Sequence, residues 1–389
     1  MIKTYFPLKT YALFSLILLC GLSSFSQNKL SREKAKAIAE IELKTQMELQ
    51  KAKSTEEWAA KQIKYKNYTF KFITKVFGDK PAGGHSLYIS LHGGGGTEPA
   101  VNDQQWENQK KLYKLKEGVY FVPRSPTDTW NMWHDYPMDE LISEVVKSEI
   151  VMDDVNPDKV YVMGYSAGGD GVFQLAPRLA DYWAAAAMMA GHPGDAQILN
   201  LKNIPFDAFV GGKDAAYHRN ELVAQWGLRM DSLAKVYPGS FIHETHVYPD
   251  MPHWMNRKDT IAVPWLASFT RNALPKDVIW IQDDILRDRF YWLGTDLASA
   301  KQGLKARVAV SGNNINIIEN QDEVLYIYLN DDLVNLDKKV SVTINGKKVF
   351  NKKVPRNADV IKQSIAARLD KSLIFSGKLI VKNGQVAGI

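Results

Sequence analysis

Between residues 65 and 276 the sequence alternates repeatedly between short apolar runs of β character and longer amphipathic stretches. Strands are expected at 68–76, 86–91, 119–123, 159–163, 184–190, 206–210 and 241–248, and helices at 104–115, 138–151, 221–236 and 260–272. Neighbouring parallel strands need a crossover between them, and helices supply it. The alternation therefore predicts an α/β domain, with a mostly parallel sheet and helices on both faces. Such sheets bind ligands at the carboxyl ends of their strands, so the segments that follow a strand are where chemistry is expected.

Two flanking segments break the pattern. From 27 to 64 the chain is rich in Ala, Glu, Lys, Leu and Gln and reads as a helical arm. Ser54-Thr55-Glu56-Glu57 has the form of a capping box, which predicts two helices, packed on the main domain. No heptad run is sustained enough to argue for a coiled coil. Residues 277–389 read as a β-rich accessory domain, with strands at 278–282, 306–310, 315–319, 324–329, 340–344 and 347–354 and one helix at 359–369. Asn345-Gly346 supplies a hairpin turn. The expected roles of this tail are to shield an edge of the main sheet or to hold a polymeric substrate.

The first 26 residues have the form of an export signal. Lys3 and Lys9 precede an apolar stretch at 12–19, and Ser24-Phe25-Ser26 offers small residues for cleavage. Cys20, the single cysteine, lies inside this segment. Cleavage before Cys20 would give a lipoprotein, but bulky Leu19 disfavours it. Cleavage after Ser26 leaves no membrane anchor and no thiol for catalysis or metal binding. A periplasmic or extracellular protein is expected. Its net charge is +6, with 49 basic and 43 acidic residues, and falls to +4 without Lys3 and Lys9. Nothing in so mild and scattered a balance calls for a nucleic-acid partner.

The strongest chemical signal is Gly164-Tyr165-Ser166-Ala167-Gly168, at the end of the expected 159–163 strand. A nucleophile on a sharp strand-to-helix turn needs small neighbours, because its backbone is strained and the chain passes close by. A second signal, His92-Gly93-Gly94-Gly95-Gly96, also follows a strand. No Gly-Lys-Ser/Thr follows to make it a phosphate loop. The glycines suit an oxyanion hole, built from the Ala167 amide and that of Gly94 or Gly95, with His92 bracing the loop.

Together, His92–Gly96 and the Gly164–Gly169 stretch resemble the α/β-hydrolase superfamily, and within it the secreted serine esterases of the poly(3-hydroxybutyrate) depolymerase and feruloyl esterase type. The resemblance spans residues 68–272. It implies a Ser-Asp-His triad in that chain order, with no metal or organic cofactor. Asp214, after the 206–210 strand, fits the acid, with Asp195 and Asp250 as rivals. His253, on a loop after the 241–248 strand, fits the base. His85, His92, His134 and His192 precede the acid, and His218 follows it too closely. His243 and His246 fall within a strand, and their spacing misses the i, i+4 pair of a helical zinc site. Trp130, Trp133, His192 and Trp254 are expected to line the substrate site, while Trp226 is expected in the core. The implied function is hydrolysis of a small-molecule or polymeric carboxylic ester. An oligopeptidase-type peptidase and a non-catalytic binding protein on the same fold are the alternatives.

If this assignment holds, a fluorophosphonate probe should label one residue, and peptide mapping by mass spectrometry should place the adduct on Ser166. Labelling at another serine would move the nucleophile.

Overall fold

The computed structural model describes residues 30–389, so the expected export signal and Cys20 lie outside the described residues. The arm is one helix rather than two: α1 (Arg32–Ala60), capped by the Ser31 hydroxyl. Ser54 and Thr55 do not open a second helix. The Thr55 hydroxyl donates back to the Lys51 carbonyl at 2.7 Å, and the buried Ser54 hydroxyl donates to Ser148 at 2.8 Å. A hydroxyl that can cap a helix can equally bond the carbonyl one turn back, so the capping-box pattern was ambiguous. Lys61, at φ 53°, ends the helix, and β1 (Gln62–Tyr65) follows where helix was expected.

The main sheet contains β1, β2 (Tyr68–Phe77), β3 (His85–Leu91), β4 (Gly118–Pro123), β5 (Val155–Tyr165), β6 (Ala185–Met189), β7 (Phe206–Gly211) and β8 (His243–Tyr248). Their spatial order is β1-β2-β4-β3-β5-β6-β7-β8. β2 runs antiparallel to both β1 and β4, and every other pair is parallel. β3, β4, β6 and β7 are buried along their whole length, which explains their continuous apolar runs.

Helices cover both faces. α3 (Met138–Met152), α4 (Ala167–Arg178) and α5 (Arg219–Val236) pack on one side with α1, burying Leu141, Phe173, Trp226 and Trp58 against Phe121, Val162 and Phe206. α2 (Pro99–Leu112) and α6 (Ala262–Ala267) cover the other, where Trp106 and Leu266 meet Tyr88, Tyr120, Tyr161 and Phe209. α2 begins earlier than residue 104 because Pro99 suits a first helical position, where its missing N–H costs nothing. α6 is shorter than the 260–272 pattern suggested, because the chain leaves it to bond Arg271 N–H to the Asp158 carbonyl at 2.9 Å. Among the described residues, no helix is long and apolar enough to cross a membrane.

The tail builds two five-stranded sheets. One is ordered β10-β11-β14-β17-β18, and the other β16-β15-β13-β12-β9. Their strands are β9 (Asp277–Ile281), β10 (Arg289–Phe290), β11 (Leu293–Thr295), β12 (Lys305–Ser311), β13 (Asn314–Asn320), β14 (Val324–Leu329), β15 (Val340–Ile344), β16 (Lys347–Lys352), β17 (Gly377–Lys382) and β18 (Gln385–Gly388), with helix α7 (Ala358–Arg368) between β16 and β17. Asn345-Gly346 turns β15 into β16 with φ 49° and 76°. Asn383-Gly384 does the same between β17 and β18, with φ 51° and 71°, in a hairpin beyond those expected from the sequence.

The tail does not extend either edge of the main sheet, since neither β1 nor β8 pairs with it. Edge shielding by strand addition is therefore not the arrangement found. Its polar docking contacts instead gather near the amino ends of β5, β6 and β7. Buried Arg271 joins Asp158 and Asp370, each at 2.6 Å, and donates to the Asp181 carbonyl. Arg368 reaches the Asp181 carboxylate at 2.7 Å, and the Asn200 side chain exchanges two hydrogen bonds with the Ile281 backbone. Apolar packing is continuous across this junction, and α1 closes it by packing Ala35 beside Ile361 and Ile365 of α7.

Truncating Arg271 would leave Asp158 and Asp370 facing each other in a buried site without their cation. Arg271→Ala is expected to lower unfolding free energy by about 3–5 kcal/mol, read from urea denaturation. A loss below about 1 kcal/mol would show the pair to be dispensable for docking.

Candidate active site

β5 runs directly into Ser166, and α4 begins at the next residue. Ser166 itself has φ 58° and ψ −122°, outside the comfortable range of a residue with a side chain. The turn is held by Ser166 N–H bonding to the Met189 carbonyl at 2.9 Å and by Asp170 N–H bonding to the Ser166 carbonyl at 3.0 Å. Gly168 is required for the close approach that follows, because a Cβ there would overlap the Leu91 carbonyl oxygen.

The loops after β7 and β8 bring two partners to this hydroxyl. His253 Nε2 lies 3.0 Å from Ser166 Oγ, and its Nδ1 lies 2.6 Å from Asp214 Oδ2. With Nδ1–H donating to the carboxylate, Nε2 is left to accept the serine proton. Asp214 is buried, with Arg219 Nη1 at 3.7 Å. Tyr165, inside the serine motif, secures the histidine loop: its hydroxyl donates to the His253 carbonyl at 2.6 Å and accepts from Met255 N–H at 3.1 Å. The rival acids sit elsewhere. Asp195 accepts from Gln174, and exposed Asp250 lies beside Lys213. His243 and His246 remain on β8, near Asp231 and Asp207 respectively.

The glycine loop lies next to Ser166. Buried His92 donates from Nδ1 to the Gly93 carbonyl at 2.6 Å and accepts Ser125 N–H on Nε2 at 3.1 Å. Burial lowers its pKa to about 4, so it stays neutral near pH 7 and keeps both bonds. Gly95 N–H is already committed to Asn102 Oδ1 at 2.9 Å, so Gly95 leaves the pair of expected oxyanion donors. Asn102 in turn donates to Asp128 at 2.7 Å, and Arg124 pairs with Asp128 and Asp103. Among the described residues, the amides of Gly94 and Ala167 have no protein acceptor. Ala167 is the first residue of α4, where amides have no partner within the helix.

Two cavities flank the serine, and Gly94 lines both. One, of about 360 Å³, is lined by Trp130, His134, Ala167, Asp170, His192, Tyr217 and Arg219. The other, of about 710 Å³, is lined by Gln105, Tyr165, Ser166, His253, Trp254 and Arg257. Trp130 is 70% exposed and Trp254 45%, so both can meet a substrate. Trp133 cannot, and that assignment is corrected. Its ring is fully buried edge-on to His92, and its Nε1–H donates to the His92 carbonyl at 2.7 Å. Trp226 packs in the core on Phe173 and Phe206.

Several residues at the site were not singled out from sequence. Tyr165 occupies a variable motif position, and Asn102 was placed before its helix began. Asp170, in the first turn of α4, accepts the His192 N–H at 2.6 Å, and burial raises its pKa to about 6. Arg219 stands where β7 leads into α5. A carboxylate four residues after the motif serine was the one available sign of Asp170.

This sheet order, with the turn after β5 and the His253 and Asp214 loops after β8 and β7, defines the α/β-hydrolase fold. No protein-family model and no curated protein matches the sequence. Solved structures similar to the chain include esterases. A thermostable esterase is 16% identical, with 54% of this chain and 62% of that one covered and a TM-score of 0.42. A phospholipase/carboxylesterase from Dyadobacter fermentans is 18% identical, with 52% and 98% covered and a TM-score of 0.37. A feruloyl esterase module from Clostridium thermocellum, complexed with sinapinate, is 14% identical, with 54% and 86% covered and a TM-score of 0.39. Likenesses this distant carry no function across.

Gly94 has φ 108°, and a Cβ there would overlap Asn102 Oδ1. Gly94→Ala should displace the free amide and lower kcat on a p-nitrophenyl ester by on the order of 100- to 1,000-fold, with KM little changed. Steady-state kinetics check this. An unchanged kcat would remove Gly94 from the site.

Proposed function

We propose that the protein is an exported serine hydrolase of carboxylic esters. The observation that carries this is the continuous Ser166–His253–Asp214 hydrogen-bonded line, with two free amides, of Gly94 and Ala167, beside the serine. Ser166 Oγ attacks the ester carbonyl carbon while His253 Nε2 takes its proton. The carbonyl oxygen gains negative charge and is held by the amides of Ala167 and Gly94. Asp214 keeps the imidazole in the required tautomer and stabilises its cation. The tetrahedral adduct collapses, His253 returns the proton to the departing alkoxide, and an acyl-Ser166 ester remains. Water, deprotonated by His253, then attacks that ester, and the acid is released as His253 gives the proton to the departing Ser166 Oγ. Every proton transfer uses a group of this chain.

The flanking cavities suit the two halves of an ester, one for the acyl group and one for the alcohol. Exposed Trp130 and Trp254 offer faces for a sugar or aryl ring. An acylated-sugar, aryl or polymer-derived ester is the class we favour. Export would place the enzyme outside the cytoplasm; the intact mass of the mature protein, short of residues 1–26, would support it.

The test compares purified protein on p-nitrophenyl esters, feruloyl esters, acetylated xylan and a peptide substrate. Ester turnover far above peptide turnover is expected, and the reverse would favour a peptidase. Ser166→Ala and His253→Ala should each lower kcat by on the order of a millionfold, and Asp214→Asn by about ten-thousandfold, with His243→Ala retaining most of the rate. Substantial turnover by the folded Ser166→Ala protein would overturn the mechanism.

A further inference from the structure

Edge strand β8 and its neighbour β7 pair in parallel, with Asp207 opposite Glu244 and Phe209 opposite His246. These alternate positions bring one aspartate, one glutamate and one histidine together on the face covered by α6. Asp207 is only 1% exposed, yet neither carboxylate oxygen has a hydrogen-bond partner. A buried carboxyl without a hydrogen-bond partner is costly, and native proteins rarely leave one so. His246 Nε2 lies 3.2 Å from Asp207 Oδ1 and 3.3 Å from Glu244 Oε2, but is aligned on neither and also has no hydrogen bond. The three donor atoms all fall within 4.8 Å of one another.

The surroundings fix these groups rather than satisfy them. The His246 ring stacks on Phe209 with centroids 4.5 Å apart and 13° between the planes. Trp265 Nε1–H of α6 occupies Glu244 Oε1 at 2.9 Å, leaving Oε2 toward the cluster. Zinc holds nitrogen and oxygen ligands at about 2.0–2.2 Å, so the edges of a tetrahedral set measure about 3.3 Å. The two nitrogen–oxygen separations match that edge. Imidazole nitrogen and carboxylate oxygen are both zinc ligands, and one water would complete a tetrahedral set with these three. Glu244 and His246 are partly exposed, which gives an ion access from solvent.

We propose that Asp207, Glu244 and His246 form a zinc site that ties β8 to β7 and α6. Asp207 and Glu244 are the second residues of their strands, whereas the proposed catalytic groups lie beyond the opposite ends. The loops after β7 and β8 carry Asp214 and His253, so the ion clamps the two strands from which those loops hang. The site does not rest on the ester-hydrolase assignment.

The test takes the full chain, stripped with a chelator and exchanged into metal-free buffer, and titrates it with zinc ion alone. One equivalent should bind by calorimetry, and the Tm should rise by several degrees. Asp207→Asn and His246→Ala should each weaken binding by on the order of a hundredfold or more, above what loss of an outer-shell partner costs, and abolish the Tm rise. His243→Ala should retain both. Cobalt(II) provides a check that needs no variant, since the wild-type protein should show the visible bands of a tetrahedral site with nitrogen and oxygen ligands. The stripped protein should retain its turnover of a p-nitrophenyl ester well below its Tm. Failure to bind one equivalent, full binding by both folded variants, or a six-coordinate cobalt spectrum would overturn the proposal.

Discussion

The site depends on one strained turn. Ser166 holds a backbone conformation that costs roughly 1–3 kcal/mol, and it persists only because both sides of the turn are built into the sheet. β5 is paired on both edges, and Gly168 lets α4 close against the Leu91 carbonyl. That contact joins the serine turn to the end of β3, from which the glycine loop leaves. Nucleophile and oxyanion donors are therefore placed by the same packing. A side chain at Gly168 would separate them.

Two further devices hold the site to that turn. Tyr165 points its hydroxyl at the histidine loop, so the residue before the nucleophile also sets the position of the base. The glycine loop is held from behind by His92, Asn102, Asp128 and Arg124, which take up its surplus donors and acceptors. Gly95 N–H is consumed in this bracing, while that of Gly94 is left free. In a loop of flexible glycines, side-chain hydrogen bonds decide which amide can face a substrate.

How much of this was legible in the sequence follows from how local each signal is. The 206–210 and 324–329 strands carry their own apolar runs, and the Gly164–Gly168 motif carries its own turn chemistry. Asp214 and His253 could be nominated because each follows a strand in an order that the resemblance implies. Trp133 could not be told from Trp130, since both stand in one aromatic loop. Only the fold shows that one ring fills the space beside His92 while the other faces solvent. Ser54 and Thr55 failed for a different reason: their hydroxyls have two local uses, and packing against Ser148 selects one. Asp207 and His246 lie far apart in sequence, and strand pairing alone makes them neighbours.

The placement of the β-rich tail constrains how it can influence the site. Its buried ion pairs gather around Asp158, Asp181 and Asp370, near the amino ends of the central strands, and Arg271 and Arg368 pair with all three carboxylates. Paired charges of this kind contribute little net stability against well-packed apolar groups, but they penalise any docking geometry that separates them. They act as a register between the two parts of the chain. A connection toward the substrate cavities runs through Arg178, whose Nη1 donates to the His134 carbonyl at 2.9 Å and to Asp284 of the tail at 3.1 Å. His134 lines the smaller cavity, and the Asp139 carboxylate fixes the other arm of the same guanidinium. One buried arginine thus ties the tail to the loop that carries Trp130.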